Sequence, residues 1–236
     1  MKTIKIFFVV VLILVFGNSI YAQDLPFSIT ANAGINVSDM DIQHLRTNPK
    51  VGYNFNVTFE YNLPKKFFLQ TGIEFTRKGA KVHDEKIADF SNDGKTDILI
   101  TNGKYDTRYL TMPLMGGYRL PLSNKLRMNL SLGPYFGCGV GGKTELYEAL
   151  LGGYEEKSAT AISLDGDIPN YTISTHVKSF KILRRFDMGI KGNVGIEYYR
   201  CLLNIGYEYG FIDQYKADEI SSYNMNLIVT LGFRIF

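Results

Sequence analysis

From Val51 to Asn62 the chain alternates apolar and polar residues without an error. Val51, Tyr53, Phe55, Val57, Phe59 and Tyr61 interleave with Gly52, Asn54, Asn56, Thr58, Glu60 and Asn62. A helix would scatter these side chains over every face, whereas a strand sorts them onto two. Twelve residues also suffice for a tilted membrane crossing, which takes about 9–11.

The same period recurs along the chain. Phe27 to Val37 sets Ile29, Ala31, Ala33 and Ile35 against Ser28, Thr30, Asn32, Gly34 and Asn36. Phe67 to Lys78 sets Leu69, Ile73 and Phe75 against Gln70, Gly72, Glu74 and Thr76. Tyr109 to Leu120, Leu126 to Val140, Phe186 to Tyr198, Leu202 to Phe211 and Tyr223 to Phe236 follow the same rule. Eight strands is an even number that permits closure, so the expected fold is all-β: an eight-stranded antiparallel up-and-down transmembrane β-barrel. The connections agree. Tight turns at Leu63 to Lys66, Pro121 to Lys125 and Tyr199 to Cys201 alternate with longer loops over 38–50, 79–108, 141–184 and 212–221. Short periplasmic turns and long outer loops are the pattern of outer-membrane barrels.

Alternation does not by itself say which face is inside, and a soluble lipid-carrying barrel would show the same period. The polar face decides. It carries eleven strand glycines, among them Gly34, Gly133 and Gly189, which suit a crowded, curved interior better than a solvated surface. It also holds Glu60, Glu74, Asp187, Glu197 and Glu208 against Lys78, Arg119, Arg127, Lys191 and Arg234, a balanced set that predicts internal ion pairing. The other face is almost uncharged, as lipid contact requires. Side chains just fill the space that eight strands enclose, so a plugged lumen is expected rather than a diffusion pore.

Lys2 and Lys5 precede an apolar run from Ile6 to Phe16, followed by a polar stretch that ends at Ala22. That is the layout of a secretory signal peptide, with cleavage expected after Ala22 and a barrel domain over 23–236. The run is too short for a spanning helix, which needs about 20 residues. Much of the formal charge of +3 comes from those two lysines, so the basic balance gives no support to nucleic-acid binding. Cys138 and Cys201 fall near opposite ends of the expected barrel. They are therefore read as packing residues without a disulfide, which needs Cα atoms within about 7 Å.

Five segments, in order, resemble the PorT-like outer-membrane β-barrels of Bacteroidota: Ala33 to Ser38, Leu69 to Lys81, Tyr109 to Leu114, Gly133 to Gly137 and Phe186 to Gly189. The resemblance covers essentially the whole mature chain. It implies an eight-stranded barrel in the outer membrane and little about individual function. The family takes its name from a member tied to type IX protein secretion, and no motif here distinguishes such a component. A terminal Phe commonly marks insertion by the barrel-assembly machinery, yet Phe236 is one step out of phase with Phe233 and Ile235.

Few side chains suggest a site. Asp89, Ser91, Asp93 and Asp97 place oxygens at positions 1, 3, 5 and 9 of a loop with Gly94 at position 6, as in a calcium loop. Position 12 is Ile100 instead of the bidentate Glu, so an ordinary Asn-Asp-Gly turn is the simpler reading and no cofactor is expected. His44, His83 and His176 fall in different long loops, with no spacing that supports a catalytic group, and no enzyme is expected. The expected partners are outer-membrane lipid, the barrel-assembly machinery during insertion, and envelope or extracellular proteins. Two functional classes follow: a non-catalytic structural or surface-interaction barrel, and an accessory of a transport or secretion complex.

Overall fold

The computed structural model describes residues 26–42, 46–88, 96–154, 171–216 and 221–235. Ten strands lie among them: β1 (Phe27–Ile42), β2 (Thr47–Asn62), β3 (Phe67–Lys78), β4 (Ala80–Ala88), β5 (Thr96–Pro121), β6 (Leu126–Tyr154), β7 (Tyr171–Lys178), β8 (Phe186–Tyr198), β9 (Cys201–Gly210) and β10 (Ser222–Arg234). Eight of them close an antiparallel ring in the order β1-β2-β3-β5-β6-β8-β9-β10, with β10 returning to β1. The expected eight-stranded barrel is the one observed.

The alternation fixes the faces as expected. Val51, Phe55, Phe59 and Tyr61 point outward and are exposed, while Asn54, Thr58 and Glu60 between them are buried in the lumen. Phe27, Tyr61, Phe67, Tyr198 and Phe233 form an exposed aromatic girdle at the end of the short turns, the position such rings take at a membrane interface. The turn Pro64–Lys66 there is so tight that Lys65 and Lys66 adopt φ of 60° and 69°.

The stretches read as long loops are largely strand. β4 continues β3 past Gly79 in unbroken register against β5, from Lys78 opposite Thr107 to Ala88 opposite Asp97. β5 and β6 stay paired as far as Thr96 opposite Tyr154, and β7 adds to β6 from Lys143 to Leu150. The result is a four-stranded sheet, β4-β5-β6-β7, that projects beyond the ring. From Gly141 to Tyr154 β6 adds about 45 Å of strand at roughly 3.3 Å per residue. The 38–50 loop shrinks likewise, because β1 runs to Ile42 and β2 begins at Thr47. These strands carry no clean alternation because, beyond the bilayer, neither face meets lipid. Gly79 and Gly142, with φ of 151° and 147°, mark the level at which the ring gives way to the projecting sheet. There the pairing of β2 shifts by one residue between β3 and β4, a β-bulge that turns the strand.

The cysteines also depart from expectation. Cys138 and Cys201 are free, but both are exposed on the outer face, so neither is the packing residue expected.

Candidate functional site

The interior is arranged in three layers. In the layer nearest the short turns, Arg119 and Arg234 meet Glu60 at 2.6 and 3.0 Å, and Arg127 and Arg234 meet Glu197 at 3.2 and 3.1 Å. Asn62 and Asn129 accept further hydrogen bonds from Arg119 at 2.7 and 3.0 Å, and the guanidinium stacks 5.0 Å above the Phe68 ring. The planar fork of arginine suits such shared contacts.

The middle layer uses lysine. Lys191, on β8, donates to Glu74 on β3 at 2.5 Å and to Glu208 on β9 at 2.8 Å. Lys78 lies 2.8 Å from Glu208 and 3.6 Å from Asp187, with its ammonium 4.8 Å above the Tyr135 ring. The contact with Glu208, the Asp187 charge and the ring face together hold the ammonium. Asn54 donates to Glu74, Asn226 to Glu208, and Tyr135 and Asn224 to Asp187. All ten lumenal charges named from the sequence are thus ion-paired. Desolvation makes a buried ion pair a poor source of stability, yet removing one partner leaves an isolated buried charge and costs far more. A polar cavity of about 40 Å³ remains between the two layers, room for ordered water and little else.

The third layer is apolar. Met40, Ile42, Ala80, Val82, Tyr105 and Tyr109 turn inward from the upper strand ends, and Phe180, Leu183 and Tyr215 pack down onto them. These last three come from two connecting segments that reach across the mouth. One is a single helical turn, Ser179–Ile182. Its Phe180 stands edge-on to Tyr109, and its Ser179 hydroxyl donates to the Asp106 carbonyl at 2.5 Å. The other runs through Gln214 and Tyr215. The Tyr215 hydroxyl is hydrogen-bonded to that of Tyr105, and Gln214 accepts from Tyr109 at 2.7 Å and donates to Asp187 at 3.3 Å. Burial first, then the Tyr105 hydroxyl, holds the Tyr215 phenol above its ordinary pKa. Backbone bonds from Arg184 to Gln214 and from Lys216 to Ile182 tie the two segments together.

Gln214, Tyr215 and Phe180 were not anticipated from sequence. The apolar residues Phe180, Ile182 and Leu183 between Lys178 and Phe186 are a signal for the first segment, whereas Gln214 and Tyr215 carry none.

The metal-loop residues Asp89, Ser91 and Asp93 lie outside the described residues, and Asp97 begins the pairing of β5 with β4. Among the described residues no group of three His, Cys, Asp or Glu is placed to hold a metal ion. His44 is likewise outside them. His83 shares a hydrogen bond of 2.6 Å with Asn102, and His176 sits on β7. Phe236 and residues 1–22, the stretch expected to be a signal peptide, also lie outside the described residues.

A closed ring with an apolar exterior, aromatic girdle and charge-paired lumen defines an integral membrane β-barrel. The chain belongs to the outer membrane protein beta-barrel domain family, whose model matches residues 21–216. No curated protein matches the chain. Among solved structures it is similar to Ail, the attachment invasion locus protein of Yersinia pestis, at 12% identity over 89% of this chain and 99% of that one, with a TM-score of 0.38. It is similar to OprG of Pseudomonas aeruginosa at 13% identity over 88% and 95% of the two chains, with a TM-score of 0.40. Neisserial surface protein A gives 11% identity over 89% and 97%, with a TM-score of 0.38.

Proposed function

We propose that this chain is a non-catalytic outer-membrane barrel whose lumen is plugged and whose working surface is the projecting β4-β5-β6-β7 sheet. One observation carries the reading: the interior is filled by three successive layers, while the strands spend much of their remaining length beyond the ring. A channel needs the opposite economy. Among the described residues β7 has no neighbour on its outer side and β4 is paired there with β2 only over Ala80–Val82, so the remaining backbone edges fit the addition of an extended segment from an envelope or extracellular protein. We read residues 1–22 as the export signal and 23–236 as the mature domain. We also read the five PorT-like segments as a likeness to the barrels of Bacteroidota.

The test is electrical and then biochemical. In planar bilayers the protein is expected to give no steady large openings, and such openings would sink the plug. Affinity capture from native membranes then separates the two functional classes. Partners lost when β4 and β7 are removed support a surface-interaction barrel, whereas periplasmic secretion proteins retained by the bare barrel support an accessory of a transport complex.

A further inference from the structure

The outer wall has one pronounced defect, independent of the projecting sheet. At one level the cross-strand neighbours run Leu69, Gly116, Leu132, Gly192 and Tyr207, from β3 to β9. The two outward glycines leave gaps on either side of Leu132. The ladders are interrupted at the same place. Pairing of β3 with β5 stops at Thr71 opposite Leu114 and resumes at Glu74 opposite Thr111, skipping Pro113. Pairing of β5 with β6 skips from Pro113 opposite Tyr135 to Gly116 opposite Leu132, passing Pro134. Proline has no N–H to give a ladder, so each interruption follows from the sequence. The freed Pro113 carbonyl is taken by the Thr71 hydroxyl at 2.9 Å.

The outcome is an apolar furrow of about 830 Å³ on the lipid-facing wall. It descends to Leu63 and Phe67 at the short-turn rim. Those two residues also line a second pocket, of about 240 Å³, whose other walls include Lys66, Arg119 and Arg127. Around that pocket the rim is strongly one-signed. Lys65, Lys66, Lys125 and Arg200 are exposed and the Arg127 side chain is 42% exposed, whereas Glu60 and Glu197 are buried and already paired. Among the described residues this rim carries no exposed carboxylate, and Lys66 has no ion-pair partner there.

We propose that the furrow and the basic pocket form one site for an anionic phospholipid of the periplasmic leaflet. The acyl chain lies between Leu69 and Leu132 across Gly116, and the phosphate rests on Lys66 and Arg127. The volume lies within the range of small-molecule sites, about 300–1,000 Å³. Each base near a membrane surface contributes about fivefold to the binding of an anionic lipid. The chemistry is complementary at both ends, since the apolar groove opens onto a cationic pocket at headgroup depth.

Gly116 makes the test clean, because a Cβ added there meets no atom within 4 Å. Gly116→Leu starts from a Cβ with open space around it and projects its side chain into the furrow, and Lys66→Gln removes a charge that has no ion-pair partner among the described residues. Native mass spectrometry of the purified protein, titrated with dioleoyl-phosphatidylglycerol or dioleoyl-phosphatidylcholine, reads both halves. The wild type is expected to prefer the anionic lipid about fivefold or more. Lys66→Gln should remove most of that preference, and Gly116→Leu should weaken both lipids alike. Retained heat-modifiable migration in gels confirms that each variant has folded. Equal affinity for the two lipids in the wild type overturns the proposal, and so does undiminished lipid binding in Gly116→Leu. Glycerol phosphate binding as tightly as the full lipid would assign the pocket to a free phosphate instead.

Discussion

β5 and β6 each belong to two different structures along their length. Below Gly142 they are staves of a closed ring, with every second side chain against lipid and the others against charged neighbours. Above it the same two strands, in nearly the same register, form the middle of an open sheet flanked by β4 and β7. The backbone pairing hardly changes across the boundary, but the surroundings do. Strand formation here is therefore set by pairing, whereas the selection of residues is set by solvent. Only the embedded half has two unlike solvents to choose between.

That contrast can be broken most severely in the lumen. Lys191→Ala leaves Glu74 and Glu208 short of their cation, and the expected loss is about 3–5 kcal/mol in urea unfolding from liposomes. Lys104→Ala, exposed on the projecting part of β5, should stay within about 0.5 kcal/mol in the same assay. A similar loss for both variants would erase the distinction between the halves.

A smaller effect is expected at the boundary. Phe180→Ala empties the centre of the mouth cluster, with a cost of about 3 kcal/mol, at the low end for a buried Phe because the tethered segments can relax. Hydrogen exchange should show the Arg184 and Gln214 amides opening faster while those of β8 and β9 hold. Conductance should stay low, because both charged layers lie beneath. An open pore in this variant would show that the apolar layer alone seals the barrel.

The smallest effect belongs to the sheet. Replacing residues 84–101 with an Asn-Gly turn joins His83 to Asn102, which already face one another, in the geometry such turns favour. Barrel stability should change by less than about 0.5 kcal/mol, since the loss falls outside the ring. A loss of several kcal/mol would mean that the projection braces the barrel.

The sequence was legible where one side chain could see only one environment. Val51 to Asn62 declares both faces, and the same rule located the eight ring strands, three of them to within about a residue at both ends. The charged set was legible as a set, but its partners were not. Glu74 and Lys191 lie 117 residues apart, and nothing local ties them together. β4 and β7 were missed because alternation is silent where both faces are wet. Gln214 and Tyr215 were missed because a segment folding back into a barrel mouth has no period, and its partners Tyr109 and Tyr105 are equally distant in sequence.

The cross-lumen ion pairs have a consequence for how the chain can be assembled. Glu74 on β3 meets Lys191 from the β8-β9 hairpin, where Glu208 is the direct cross-strand neighbour of Lys191, and Arg234 of β10 completes contacts to Glu60 on β2 and Glu197 on β8. A sheet built only as far as β6 therefore carries Glu74 and Lys78 without the β8 and β9 partners that neutralise them. Adding hairpins one at a time to the bilayer accumulates this penalty until the final seam, β1 against β10, brings the last partners together. Closure is then the step that releases the free energy, and the molecule has strong reason to behave as either an inserted barrel or none.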